Sequence, residues 1–177
     1  FACAEYPEYP SYLQEVKHEA EEVVLRLRNH PSIVLWCGNN ENDEAWNNWG
    51  WQMQFNEAQR TQLSREYKLL FNDIFRTYVE NNADRVPYWE SSPRYGRANA
   101  KSLTEGDSHY WGVWHDEEPF EILNKKVPRF MSEYGFQSFP EWRTIQSFTE
   151  PEDRMLESKV MLLHQKHPRG NALIAEY

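Results

Sequence analysis

The sequence predicts an α/β fold, a parallel sheet with intervening helices of the (β/α)8 TIM barrel kind, of which 177 residues hold only a part. Three observations predict it. Short apolar stretches with strand character alternate with amphipathic helical ones along the chain. The strand-like stretches give way to polar residues at their C-terminal ends, and two of them end in a glutamate, Glu41 and Glu133. No glycine-rich phosphate loop follows any of them, so the doubly wound, nucleotide-binding version of such a sheet lacks its signature.

The chain opens on the apolar residues Phe1, Ala2, Cys3 and Ala4, read as the tail of one strand. Ser11 stands before a helical pattern in which Leu13, Val16, Ala20, Val23, Val24 and Leu27 recur every three or four residues, predicting a helix that runs to about Arg28. His30 and Pro31 stop it, because the residue before a proline is pushed out of the helical region. The continuous run Ile33, Val34, Leu35, Trp36, Cys37 then predicts a strand buried on both faces. A polar, Trp-rich loop from Gly38 to about Phe55 leads to a second amphipathic helix with Leu63, Tyr67, Leu70, Phe71, Ile74 and Tyr78 on one face, ended by Asn81 and Asn82. Val86 to Trp89 is a short strand, Tyr110 to Trp114 another, and Arg129 to Tyr134 a third. A weak helical turn covers Phe120 to Lys125, Pro140 opens a short helix, and Met155 to His164 forms the last helix before Pro168 and Gly170 end the pattern.

Composition excludes several classes of function. With 28 acidic against 19 basic residues the formal charge is -9, which repels phosphate backbones and anionic lipid, so neither nucleic acid nor a membrane surface is the expected partner. The longest apolar run is five residues, against about 20 needed to span a bilayer. Aromatic residues make up 15% of the chain, with eight Trp and ten Tyr, and flat rings of this kind pack against the CH face of a pyranose. Cys3 and Cys37 fit no zinc or redox spacing and either pair or stay reduced.

Glu41 and Glu133 lie 92 residues apart. A barrel of about 250 residues spends roughly 31 on each βα unit, so this separation places the two carboxylates on strands three apart, at the face of the barrel where catalytic side chains project. Two carboxylates about 5 to 5.5 Å apart across such a mouth are what retaining glycoside hydrolysis requires, one to attack the anomeric carbon and one to protonate the leaving oxygen.

Four motifs occur in order: Trp36-Cys37-Gly38-Asn39-Asn40-Glu41-Asn42, Tyr88-Trp89-Glu90-Ser91-Ser92-Pro93, Gly106-Asp107-Ser108-His109-Tyr110-Trp111-Gly112-Val113-Trp114, and Met131-Ser132-Glu133-Tyr134-Gly135-Phe136-Gln137-Ser138. Together they resemble the β-mannosidase branch of glycoside hydrolase family 2 over nearly the whole chain. The β-galactosidase and β-glucuronidase branches share the Asn-Glu pair but usually lack the Gly-Phe-Gln-Ser continuation. The resemblance implies that Glu41 is the general acid/base, Glu133 the nucleophile, and Asn40 a hydrogen-bonding partner of the sugar 2-hydroxyl. It implies an oligosaccharide or glycan substrate, no cofactor and no metal.

Trp49, in the loop after Glu41, and Trp111 are expected as walls of the sugar pocket, with Trp46 and Trp114 as alternatives for the core. His109 and His115 flank Trp111, six residues apart, and on one strand would face the same side, for a hydrogen bond to a sugar hydroxyl or a carboxylate rather than a metal. Trp89 and Glu90, at another strand end, are expected to orient the pair.

Residues 1–177 are therefore expected to be part of one catalytic barrel, about strands 4 to 7. The flanking strands and the β-sandwich domains that family members carry would come from the remainder of a parent chain. An open half-barrel exposes strand edges that natural chains avoid. Two other readings stay open: the same chemistry on another β-glycoside, and a non-catalytic carbohydrate-binding remnant. The composition is compatible with a lysosomal, periplasmic, secreted or cytoplasmic home.

Overall fold

Pro10 opens the first helix, α1 (Pro10–Leu27), one residue before the expected Ser11, with Tyr9 in extended conformation as its cap. A proline fits there because the first helical N–H has no partner within the helix. In the computed structural model, which describes residues 1–83 and 85–177, the chain forms two units: Phe1–His109 with Val127–Ser132, and Tyr110–Lys126 with Glu133–Tyr177.

The first unit is a βαβ arrangement. Strand β1 (Trp36–Asn40) lies three residues further along than the apolar run predicted, and β2 (Tyr88–Ser92) is displaced in the same direction from 86–89. The two pair in parallel, with Trp36 opposite Tyr88, Cys37 opposite Trp89, Asn39 opposite Ser91 and Asn40 opposite Ser92. The shift has a cause in hydrogen bonding. Val34 is left exposed, whereas Asn39 is buried because Ser91 Oγ (2.8 Å) and the backbone N–H of Asn42 (3.1 Å) donate to its Oδ1, and its own amide donates to the Glu90 carbonyl (2.7 Å). Burial on both faces does not hold along the strand, since Cys37 is exposed. Phe1 donates to the Gly38 carbonyl (3.1 Å) and accepts from the Asn40 N–H (2.7 Å), the two bonds one residue makes to a parallel neighbour.

Between the strands, the stretch from Gly38 to Phe55 is not all loop. It contains α2 (Asn42–Asn48) and a 3-10 turn, Trp51–Gln54. The amphipathic stretch that follows is one helical run, α3 (Glu57–Tyr67), a π-helical segment Lys68–Phe75, and α4 (Arg76–Asn82), opened by a capping box between Asn56 and Gln59. Its apolar face, Leu70, Phe71, Phe75 and Val79, packs with Val16, Val24 and Tyr88 into the core of this unit. Tyr88 donates its hydroxyl to the Phe71 carbonyl (2.7 Å) beneath Gly38, where a Cβ would stand 2.7 Å from the Glu90 carbonyl. Only glycine lets β1 pass that close.

A second two-stranded sheet joins β3 (Ser108–Tyr110) and β4 (Met131–Tyr134), through the Ser108 N–H donated to the Phe130 carbonyl (2.8 Å). The expected strand from Tyr110 to Trp114 is thus replaced by a strand that ends at Tyr110 and a helical turn, α5 (Gly112–His115). The N–H groups of Trp114 and His115 both reach back to the Trp111 carbonyl, at 3.1 and 2.8 Å. Consecutive burial of Gly112, Val113 and Trp114 fits a packed turn and not a strand, where alternate residues face opposite ways.

In the second unit a 3-10 turn, Phe120–Asn124, falls where a helical turn was expected, and α6 (Trp142–Phe148) follows Pro140. Helix α7 (Lys159–His164) is shorter than the predicted 155–164, because Ser158 caps it by accepting from the Met161 N–H (3.1 Å). Gly170 begins a helix, α8 (Gly170–Glu176), instead of ending the pattern. Trp114 anchors the packing: its ring meets Phe136 edge-on at 4.9 Å and His167 at 4.8 Å, and Phe136 meets Phe120 and Tyr177 at 5.5 and 5.2 Å. No described helix is long and apolar enough to cross a membrane.

Candidate active site

Glu41 follows the last residue of β1 and adopts φ 60°, ψ 9°. This left-handed conformation is rare for a residue with a side chain, and such residues cluster where structure is held for function. Two backbone bonds impose it: the Glu41 N–H donates to the Ser92 carbonyl at 2.7 Å, closing the sheet, and its carbonyl accepts from the Ala45 N–H at 2.8 Å, opening α2. The turn lifts the carboxyl group off the strand end. Glu41 Oε1 lies 2.8 Å from His109 Nδ1, and the Glu41 and His109 side chains are 17% and 4% exposed. Asn40 Nδ2 is 3.5 Å from Oε2, at the limit of a hydrogen bond.

Behind His109 lies a polar array whose members stand in the sequence motifs with no role assigned to them. His109 Nε2 is 3.0 Å from Ser92 Oγ, and Ser92 donates to Asp107 Oδ2. Asp107 is fully buried; it also accepts from Ser132 Oγ (2.7 Å) and, at Oδ1, from the Arg94 N–H (3.2 Å). One signal in the sequence points to this pair: Asp107 and His109 are two residues apart at a strand, hence on the same face. Cys3, a free thiol, has its pKa raised by burial and by the charge of Glu41, while Cys37 is free as well.

Asp43, two residues beyond Glu41, has its pKa raised by burial first and then by the charges of Glu90 and Glu44. Glu90 is itself paired with Arg76 at 2.8 Å. Asp43, Glu90, Trp46 and Trp51 line a groove of about 580 Å³. Trp46 stacks on Phe55 at 6.1 Å, so this ring lines a groove of the unit.

The expected pocket walls fare differently. Trp49 is the C-cap of α2 and half exposed, about 12 Å along the helix axis from Glu41; among the described residues no hydrogen bond or ring contact ties it to that carboxylate. Trp89 lies on β2 with the Arg94 guanidinium 4.3 Å over its ring, and its buried indole N–H has no hydrogen-bond partner among the described residues. Histidines 109 and 115 do not share a strand face, since His109 belongs to β3 and His115 ends α5 with its ring 6.3 Å from Trp111 and 5.8 Å from His167. Trp114 is core.

In the second unit, Glu133 occupies the third position of β4 and accepts a hydrogen bond from Trp111 Nε1 at 3.1 Å. Gly135 makes room for that ring: a Cβ there would stand 3.0 Å from the indole edge. Trp111 thus touches the carboxylate itself, through its N–H.

Comparison with known proteins matches residues 3–154 to the family model "Glycosyl hydrolases family 2, TIM barrel domain". Beta-mannosidase B of Thermothelomyces thermophilus is 32% identical over 185 residues, and that of Aspergillus clavatus 33% identical over 184; each alignment covers 100% of this chain and 22% of the relative. A crystal structure of a β-D-mannosidase from Dictyoglomus thermophilum superposes with a TM-score of 0.72 at 38% identity, over 100% of this chain and 21% of that one. The chain therefore spans about a fifth of the length of the relatives it matches, and its two short sheets and intervening helices are a portion of a TIM barrel. Strand ends that carry Glu41 and Glu133, a βαβ unit in parallel register and a family match over residues 3–154 agree: the chain belongs to the glycosyl hydrolases of family 2, in their TIM barrel domain.

Proposed function

We propose that this chain supplies the catalytic carboxylates of a retaining exo-β-mannosidase, with Glu133 as nucleophile and Glu41 as general acid/base. The observation that carries this reading is that each glutamate stands at or just past a barrel strand and is already held by a ring nitrogen: Glu41 by His109 Nδ1 at 2.8 Å and Glu133 by Trp111 Nε1 at 3.1 Å. The indole N–H gives the Glu133 carboxyl group a fixed hydrogen-bond donor, which holds its orientation as a nucleophile requires. A largely buried Glu41 with a histidine beside it suits a group that holds a proton in one step and takes one back in the next.

In the first step a Glu133 oxygen attacks the anomeric carbon while Glu41 protonates the departing glycosidic oxygen. Water, deprotonated by Glu41, then opens the glycosyl-enzyme and restores the Glu133 carboxylate. Asn40 would bond the 2-hydroxyl, which is axial in mannose and equatorial in glucose or galactose, so this contact bears on substrate choice. The relatives named β-mannosidase favour the mannoside over other β-glycosides. Residues 1–177 act, in this reading, within a longer chain that completes the barrel and carries the β-sandwich domains.

The test uses the full-length protein that carries this segment. Glu41→Ala is expected to lower turnover of an alkyl β-mannoside by about 10²- to 10⁴-fold. An aryl β-mannoside with a strongly activated leaving group should still form the glycosyl-enzyme, and azide should restore its turnover as the mannosyl azide. Equal losses with both aglycones and no azide rescue would remove Glu41 from the acid/base role. Faster hydrolysis of the aryl β-galactoside than of the β-mannoside would leave the mechanism standing and change the substrate.

A further inference from the structure

We propose that His109 is the positioning residue of the acid/base and that one proton is shared between Glu41 Oε1 and His109 Nδ1, with the imidazole held in the Nε2–H form by a buried Ser92–Asp107–Ser132 array. The inference rests on the acid/base reading of Glu41 and goes beyond it by assigning the group that sets where its proton resides.

The hydrogen-bond count fixes the tautomer. Asp107 accepts three donors: the hydroxyls of Ser92 and Ser132 at Oδ2 and the Arg94 N–H at Oδ1. With three donors aimed at its two oxygens, Asp107 acts here as an acceptor only. The single hydroxyl proton of Ser92 is then committed to Asp107, so the 3.0 Å contact between Ser92 Oγ and His109 Nε2 requires the proton on Nε2. The other ring nitrogen, Nδ1, faces Glu41 Oε1 at 2.8 Å, a distance at which one of the two atoms must carry a proton. Carboxylic acid with neutral imidazole, and carboxylate with imidazolium, have the same total charge. The pair therefore holds the catalytic proton as a unit.

The proton balance of the two steps follows. As the bond between the anomeric carbon and the aglycone oxygen breaks, its electron pair stays on that oxygen, which takes the proton from the Glu41–His109 pair; the pair is left with one negative charge. When water attacks, one of its protons returns to the pair, and the electron pair of the glycosyl–Glu133 bond goes back to Glu133. Among the charged and titratable groups around the pair, Asp107, in the segment before β3, lies 3.8 Å from His109 Nε2, and Cys3, in the N-terminal segment, lies close enough to feel the charge of Glu41. Cys3 stays a neutral thiol across the working range, because its pKa is raised.

The experiment compares His109→Gln and Ser92→Ala with the unaltered full-length protein, using an alkyl β-mannoside, a strongly activated aryl β-mannoside and the pH profile of kcat/KM. A glutamine amide donates to the carboxylate and favours its ionised form, so His109→Gln should move the alkaline limb of the profile toward acid by about one pH unit. It should slow the alkyl substrate about 10- to 100-fold while changing the activated one by less than about threefold. Ser92→Ala frees the imidazole to place its proton on Nδ1 and should move the limb in the same direction by a smaller amount. It decides the matter if His109→Gln does not fold. An unmoved alkaline limb, or equal slowing of both substrates, overturns the proposal. Failure of Glu41→Ala to discriminate between the two aglycones is a separate result and counts against the acid/base reading itself.

Discussion

Around Glu41 the most deeply buried side chains include Asn39, Asp107 and Ser108, all polar and bonded to strand ends or to one another, whereas in the unit that holds Glu133 the buried side chains are mostly apolar, Tyr110, Val113, Trp114, Ile145, Met161 and Leu173, with Thr149 the polar exception. The first carboxylate is placed by hydrogen bonds. Its backbone is pinned between Ser92 and Ala45, and its side chain is met by a histidine that is itself backed by Ser92 and Asp107. The second is approached by an indole whose ring lies 6.3 Å from His115, in a unit that also packs Trp114, Phe136, Phe120 and Tyr177 into an aromatic cluster. A buried polar array specifies one arrangement but loses much when a single member is removed, while packed rings tolerate small shifts. That difference suits the two tasks proposed for these carboxylates, since an acid/base must pass a proton along a defined direction and a nucleophile needs a donor to its charge and a clear path to carbon.

The largest expected effect lies at the proposed nucleophile. Glu133→Gln keeps the shape and removes the charge, so no glycosyl-enzyme forms, and turnover of aryl β-mannoside by the full-length protein should fall by about 10⁴-fold or more. The loss should be the same for activated and unactivated aglycones, in contrast to Glu41→Ala. Residual turnover within tenfold of normal, or a mannosyl adduct trapped on another residue, would break the division of labour proposed for the two carboxylates.

A smaller effect sharpens the aromatic side of the comparison. Trp111→Phe retains a ring beside Gly135 but deletes the N–H donated to Glu133. A hydrogen bond to a charged group contributes about 1.5 to 3 kcal/mol, which corresponds to roughly a 10- to 100-fold lower rate of glycosyl-enzyme formation. Burst kinetics with an activated aryl β-mannoside measure that step directly. An unchanged rate would mean that Trp111 serves only as a wall.

How far the site was legible in the sequence follows the same division. Glu41 and Glu133 stand out in the sequence because each closes a strand-like stretch, and Trp111 because it belongs to a motif with a family likeness. The polar layer was not readable as a layer. Asn39, Ser91, Ser92, Asp107 and Ser132 are small polar residues that read as strand ends and turns, and only the parallel register of β1 with β2 sets Asn39 opposite Ser91 and Asn40 opposite Ser92. For the same reason the apolar pattern predicts β1 too early, since Ile33 to Leu35 outweigh polar residues whose bonding partners lie some 50 positions away. Val113 and Trp114 favour a strand locally at 112–115, and packing around Trp114 overrides that preference to give a turn.

The smallest effect concerns Asp43, beside the polar array but outside the proposed chemistry. Burial and the carboxylates of Glu90 and Glu44 raise its pKa in the folded protein, so folding favours the protonated form of this residue. The sign follows from proton linkage: the folded state binds this proton more tightly than the unfolded state, so the stability the residue allows is greatest below the ordinary carboxylate range and declines as pH rises through the raised folded value. Asp43→Asn has no charge to desolvate and should escape that decline. Thermal unfolding of the full-length protein is therefore expected to show a higher Tm for the variant at pH 7 and no difference near pH 4, with kcat on an activated mannoside changed by less than about twofold. A lower Tm at pH 7 would mean that the ionised Asp43 holds its part of the fold through a favourable contact, and that the carboxylates Asp43, Glu44 and Glu90 are balanced by Arg76 more completely than its bond to Glu90 at 2.8 Å alone implies.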